Sequence, residues 1–201
     1  MLLEHSKSYH SWKLDFKELD TIKKLLLWPK ELKFPVWDLL RAFLIHYQSE
    51  TLFSGLDAGL DIVSQLCAGL ERENSEAIYG LIFRTLSNVM IQNTNKNGIV
   101  KHADIVFSSL ENFSKRGELQ NKNLLAAVAG FLFNFSVSLF EKNVDSPDII
   151  PRFARIVERR LEIDQAEENK GLILQSAANV IFKYQKYSEE FAFLRKHLFG
   201  S

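Results

Sequence analysis

Cysteine is nearly missing from this 201-residue sequence, which holds Cys67 and no other. An internal disulfide is thereby excluded, a cysteine-based zinc site with it, and a reducing compartment fits; the sequons at Asn112 and Asn134 then read as accidental. Proline and glycine are scarce as well, with 4 and 9 residues, so few positions break a helix. Neither sign of charge dominates. Lys plus Arg and Asp plus Glu both number 25, for a formal net charge of zero. No global field draws in nucleic acid or anionic lipid, and any electrostatic recognition must be local. The basic residues are also interspersed with acids, which argues further against nucleic acid. There is no glycine-rich phosphate loop. The five histidines, His5 and His10 in the N-terminal segment included, show no metal-ligand spacing. No cofactor and no metal are expected. Met1 to Trp12 contains no apolar run suited to a signal peptide.

What the sequence does have is apolar periodicity. At 46% hydrophobic and 12% aromatic residues it is long enough to bury one substantial core, and one domain is expected. Residues 1–18 read as a partly mobile N-terminal extension and 19–201 as the folded domain. Spacings of three and four predict helices over Leu19 to Leu27, Pro35 to about Tyr47, Asp57 to Leu70, Glu76 to Ile91, His102 to Phe113, Leu124 to Phe140, Arg152 to Ile163 and Leu172 to Lys183, with a last short helix from Ser188 through Leu198. Asn97-Gly98 marks a turn. Pro29 and Pro35 bracket a stiff connector, because proline fixes its own φ and pushes the preceding residue out of the α region. Asn123 to Phe140 is uncharged and near the minimum length for a membrane span, but Asn134, Ser136 and Ser138 interrupt it. It is expected to be a buried central helix, with no membrane partner.

An amphipathic helix followed by a more buried one recurs along the chain. Setting the buried helices on one another places Arg41, Asn88, Asn134 and Asn179 in one column, separated by 47, 46 and 45 positions. Such separations match armadillo and HEAT units, roughly 40 to 47 residues long. The expected fold is therefore all-α, an armadillo/HEAT-like α-solenoid of about four helical repeats.

Residues four apart share a helix face, so Arg84, Asn88 and Gln92 form one stripe, Gln175, Asn179 and Lys183 another, and Asn134 continues to Ser138. Stacked side by side, the stripes make a polar strip that includes Arg41, Arg84 and Lys183, with no acid in the aligned column. An asparagine amide both donates and accepts, so a ladder of them could satisfy the main chain of an extended peptide. Arginine adds a planar fork for carboxylate or phosphate. The same asparagines could instead tie neighbouring helices together, and the arginines could serve structural ion pairs. Phe131, Phe133 and Phe135 read as core. A thiol hydrolase pairing Cys67 with His102 is disfavoured, because Cys67 lies on the apolar face of its helix; no enzyme activity is expected.

The stretch Leu-Leu-Leu-Trp-Pro (25–29) followed by Phe-Pro-Val-Trp-Asp-Leu-Leu-Arg (34–41) resembles the start of the PUL domain found in phospholipase-activating-protein homologues of the ubiquitin system. Arg84-Thr85-Leu86-Ser87-Asn88 is similar to that family's Arg-Thr-Phe-Cys-Asn. Asn121-Lys122-Asn123 with Leu132-Phe133-Asn134-Phe135-Ser136-Val137 is similar to its Asn-Lys-Asn and Leu-Asn-Tyr-Ser-Val. The resemblance implies an armadillo-like fold with a basic concave groove. Its implied partner is the acidic C-terminal tail of the hexameric AAA ATPase valosin-containing protein. Family members also carry a β-propeller and a ubiquitin-binding module, so ubiquitin would be met only through other domains of a longer parent, in the cytoplasm and also the nucleus. The expected partner-binding residues are Arg41, Arg84, Asn88, Asn134, Asn179 and Lys183, with Lys122 added by the motif match. The alternative function is a helical trafficking scaffold that docks its partner on an apolar surface.

Overall fold

A computed structural model describes residues 13, 15–29, 32–46, 48–49, 62–70, 75–90, 102–114, 121–142, 146–164, 166–187, 189 and 191–199. Its helices are α1 (Phe16–Leu26), α2 (Lys33–Phe43), α3 (Ile62–Leu70), α4 (Glu76–Val89), α5 (Ala103–Ser114), α6 (Lys122–Lys142), α7 (Ile149–Ile163), α8 (Glu167–Lys183) and α9 (Ala192–Phe199), with a 3-10 turn at Gln185–Tyr187. No strand occurs among the described residues. Gln92, the Asn93 to Gly98 turn, His5, His10 and the first turn of the expected Asp57 helix lie outside them. So does the expected N-terminal extension up to residue 12; α1 begins within the remainder.

The helix starts follow local chemistry. Asp15 caps α1 in a reciprocal box with Glu18, satisfying two otherwise orphan N–H groups. The Ser75 hydroxyl accepts from Ile78 N–H at α4, and the Asn121 side chain accepts from Asn123 and Leu124 at α6. Pro151 falls in the first turn of α7, ahead of the helix start at Arg152 that the spacing predicts, a position at which its missing N–H costs nothing. Likewise, Glu167, Glu168 and Asn169 open α8, ahead of the predicted start at Leu172. Acids in a first turn complement the helix dipole.

The helices pack in two layers. α2, α4, α6 and α8 lie side by side in chain order, and α3, α5, α7 and α9 form a second row against them. One even-numbered and one odd-numbered helix make each unit, the solenoid arrangement that the repeat spacing predicts. α6 sits in the middle of the even row, against both α4 and α8. By length and composition Lys122–Glu141 could cross a membrane, at mean hydropathy 1.7. Its apolar residues are used inside the molecule instead: Leu124, Val128, Phe131, Leu132, Phe135 and Leu139 are all buried, as a helix with neighbours on both flanks requires.

Aromatic rings join the layers. Phe83 meets Phe131 at 5.4 Å between centroids, Phe131 meets Phe135 at 5.7 Å, and Phe135 meets Phe107 and Phe153 at 5.2 and 5.4 Å. This run links α4, α6, α5 and α7, and edge or offset ring contacts add to the gain from burial. Gly69 is needed for close packing at the start of the stack, since a Cβ there would stand 2.8 Å from Ile82 Cδ1 and 3.0 Å from Trp37 Cη2.

Phe135 touches three of the five rings, so Phe135→Ala should open a cavity and cost about 3–5 kcal/mol of stability. Urea unfolding followed by circular dichroism checks this; a loss under about 1 kcal/mol would show that the aromatic run does not carry the core.

Candidate functional site: the exposed stripe of the even-numbered helices

The asparagine column is real in space, and each member reaches back to the preceding even-numbered helix. Asn88 Nδ2 donates to the Arg41 carbonyl at 2.7 Å, Asn134 Nδ2 to the Ser87 carbonyl at 3.4 Å, and Asn179 Nδ2 to Ser136 Oγ at 3.0 Å. The Arg41 and Ser87 carbonyls lie near the ends of α2 and α4, where the last four carbonyls lack helical partners. A carboxamide from the next helix supplies one. The donor half of this ladder is thus used between units, while all three residues remain half-buried at the surface. Ser136 Oγ in turn donates to Phe133 O at 2.7 Å.

The cations sit around the column in different states. Arg41 is held by Asp38, one turn earlier, with Nη2 and Nε 2.8 and 2.9 Å from Oδ1. An acid therefore stands beside the expected groove arginine, although none occupies the aligned column. Arg84 is exposed, and its Nη2 donates to Asn123 O at 3.4 Å. That contact brings it to the first turn of α6, where Lys122 is exposed. Lys183 lies with Nζ 4.8 Å from the centroid of the Phe140 ring, a cation–π contact. Arg84, Lys122 and Lys183 form no ion pair among the described residues. Arg84 reaches from α4 to the residue after Lys122 on α6, Arg41 belongs to α2, and Lys183 stands at the far end on α8.

Other prominent cations serve the framework. Arg152 on α7 binds Glu111 through Nε and Nη2, both at 2.8 Å, with Asp104 and Ser108 on the same helix. Its pKa is raised, chiefly by the hydrogen bond to Glu111, and its guanidinium lies 5.7 Å over Phe107. Arg160 and Asp164 are buried, with 2% and 1% exposure, and paired at 3.1 Å. Burial lowers the Arg160 pKa, against the pull of Asp164. Asn169 donates to both Asp164 oxygens and the Ala166 N–H to Oδ1, so this carboxylate fastens α7 to the start of α8.

Lys33 is a residue that the sequence reading missed. Its Nζ bonds to the Leu26 carbonyl and, at 3.1 Å, to Gln65 Oε1, tying α1, α2 and α3 at the proline connector. Partial burial lowers its pKa. A lysine in a connector gives no sequence signal for this role, because the partners lie 7 and 32 positions away. Cys67 is fully buried, and no cluster of metal-ligating side chains occurs among the described residues.

The model of the PUL domain matches residues 2–196. The chain belongs to the PUL domain family. PUL domains are protein-interaction domains, and the two-layer helical stack is one that presents a long row of helix faces to a partner. No curated protein matches the chain.

Asn88→Ala would leave the Arg41 carbonyl without its partner and should cost about 1–2 kcal/mol, as read by thermal unfolding. An unchanged melting temperature would mean that the asparagine column does not hold the PUL domain's units together.

Proposed function

We propose that this PUL domain is a non-catalytic adaptor that grips the acidic C-terminal tail of the AAA ATPase valosin-containing protein, coupling it to ubiquitin-dependent protein turnover in the cytoplasm and nucleus. The observation that carries the reading is the set of cations without ion-pair partners among the described residues, Arg84, Lys122 and Lys183, on the exposed stripe of a protein with zero net charge. A neutral protein with unpaired cations along one row is suited to a local acidic ligand and not to a polyanion at large. The peptide would run across the even-numbered helices along the asparagine column. Asn88, Asn134 and Asn179 would offer it their side-chain oxygens and the second N–H of each amide, since the first serves the neighbouring helix. Arg84 and Lys122 form the main contact with its carboxylates. Arg41 joins them in competition with Asp38. The burial of Cys67 supports a role without catalysis.

Titration of the folded domain with the tail peptide tests this. Arg84→Glu should weaken binding about 10-fold or more, and raising the salt should weaken the wild type too. Undiminished binding by both Arg84→Glu and Arg41→Glu would remove the assignment. Asp38→Asn frees Arg41 and should tighten binding about 2- to 3-fold; a loss of affinity would show Asp38 holding Arg41 in place instead of competing for it.

The second reading, an apolar docking surface, has its own observation. Leu27, Trp28, Leu32 and Phe34 are all exposed around the proline connector. It predicts a partner whose binding is indifferent to salt and to Arg84→Glu but is lost in Trp28→Ser.

A further inference from the structure

Six of the eight exposed large hydrophobic side chains among the described residues lie between 27 and 45. They gather on α2 and its approaches. Leu32, Pro35, Leu39, Ala42 and Ile45 recur at spacings of three and four, which puts them on one stripe of the helix and its ends. Ala42 is half-buried and the other four are exposed. Phe34 borders the stripe, and Leu27 and Trp28 stand exposed at the end of α1. The opposite side of α2 is equally apolar, with Val36, Trp37, Leu40 and Phe43 buried in the core. A helix that is apolar on both sides has the pattern of a covered one, yet α2 is covered on one side only.

Position in the stack accounts for the bare side. α4 lies between α2 and α6, and α6 between α4 and α8, whereas α2 opens the row with α4 as its even-numbered neighbour and α1 against it. The end units of a helical stack need a polar outer face. This one turns an apolar face outward, and such patches mark interaction sites. Of the charges on α2, Lys33 is tied to Gln65, which leaves Asp38 and Arg41 beside the stripe, 55% and 34% exposed and paired within the chain. Their order selects the occupant. Asp38 and Arg41 are equally far from the midpoint between Leu39 and Leu40, and so are Phe34 and Ile45. A two-fold axis through that midpoint sets Asp38 against the partner's Arg41, Arg41 against the partner's Asp38, and Phe34 against the partner's Ile45. The two Leu39 side chains then meet near the axis. Parallel pairing would instead oppose Asp38 to Asp38 and Arg41 to Arg41, an unfavourable arrangement. A chain of zero net charge does not repel its own copy.

We infer that the exposed face of α2 is the contact surface for a second copy of this chain, paired antiparallel about the midpoint of Leu39 and Leu40. The apolar stripe supplies the affinity, and the exchanged Asp38 and Arg41 pairs fix the register. The inference does not depend on the peptide groove, and it gives the apolar surface of the second reading a definite occupant.

Sedimentation equilibrium of the whole chain from about 1 μM to about 1 mM tests this. The wild type should pass from 23.2 kDa to twice that mass as the concentration rises. Leu39→Glu brings two carboxylates together at the axis and should weaken the dimer about 10-fold or more. Asp38→Arg and Arg41→Asp should each weaken it about 10-fold alone. Mixing those two variants should restore a dimer at least as tight as wild type, because every pair across the axis is then opposite in sign. All three positions are at the surface, and melting temperatures close to wild type verify that the variants fold. On mild oxidation, Phe34→Cys should cross-link to Ile45→Cys and not to itself; Cys67 is buried and stays out of the reaction. Arg84→Glu, which acts on the tail peptide, should leave the dimer unchanged. A wild-type chain still monomeric at about 1 mM overturns the inference and leaves the apolar face to a different protein. A dimer that ignores Leu39→Glu, or charge-reversed chains that do not recover on mixing, overturns the α2 contact.

Discussion

The structure depends on register between successive even-numbered helices. A solenoid has no long-range sheet or crossover to fix how far one unit slides along the next, and a helix surface offers several nearly equivalent ridge-and-groove seats. Here a polar contact at each interface removes the ambiguity. Asn88 meets Arg41 O and Asn134 meets Ser87 O, each 47 positions back, and Asn179 meets Ser136 Oγ 43 positions back. Tyr184 repeats the device at the last interface with a bond to Leu139 O, 45 positions back. Each such bond adds only about 1 kcal/mol net, small beside the burial of Phe83, Phe131 and Phe135. Its value is selectivity: a slipped register would forfeit the bond and leave a half-buried carboxamide or carbonyl without its partner.

This double use explains why the column could be read from sequence while its role could not. The 45 to 47 spacing and the apolar periodicity are properties of single helices and of their succession, so helix order, the two alternating classes and the central place of α6 were all legible. Which atoms an asparagine faces depends on the neighbouring helix, and periodicity says nothing about that. Both readings of the asparagines were open, and the hydrogen bonds place their donors on the structural side. The pairing of Arg41 with Asp38 was in principle visible, since the two are three apart on one helix; aligning a single column hid it. The Arg152 cluster and Lys33 were out of reach, because their partners come from other helices at separations with no local pattern. Pro151 and the acids at Glu167 and Glu168 were misplaced for another reason. Both look like breaks in composition, yet both are at home in a helix's first turn.

The proline connector gains meaning from this register. Pro29 follows α1, and Pro35 sits in the first turn of α2. Prolines alone would stiffen the path without setting its end. Lys33, between them, ties the last turn of α1 to α3, and buried Trp37 packs where Gly69 lets α3 come close. The orientation of α2 is thus determined from both sides. Since the Arg41 carbonyl is the acceptor for Asn88, the connector also sets the starting point of the asparagine column. Within this stretch Lys33, Trp37, Asp38 and Arg41 each have a defined contact in the first unit.

The distribution of charge separates framework from surface in the same way. On the odd-numbered helices, Arg152 is engaged by Glu111, Asp104 and Ser108, and Arg160 is buried against Asp164, out of a ligand's reach. On the even-numbered row, Arg84, Lys122 and Lys183 stand over backbone, solvent and a ring, with no carboxylate among the described residues to neutralise them. Like charges left unpaired along one face repel and are held there at a small cost. Pairing is not confined to one layer, since Arg41 has Asp38 on α2 and Lys170 has Glu167 on α8. The contrast lies within the even row itself, where these local i,i+3 pairs stand beside cations whose nearest described partners are a backbone carbonyl and a ring.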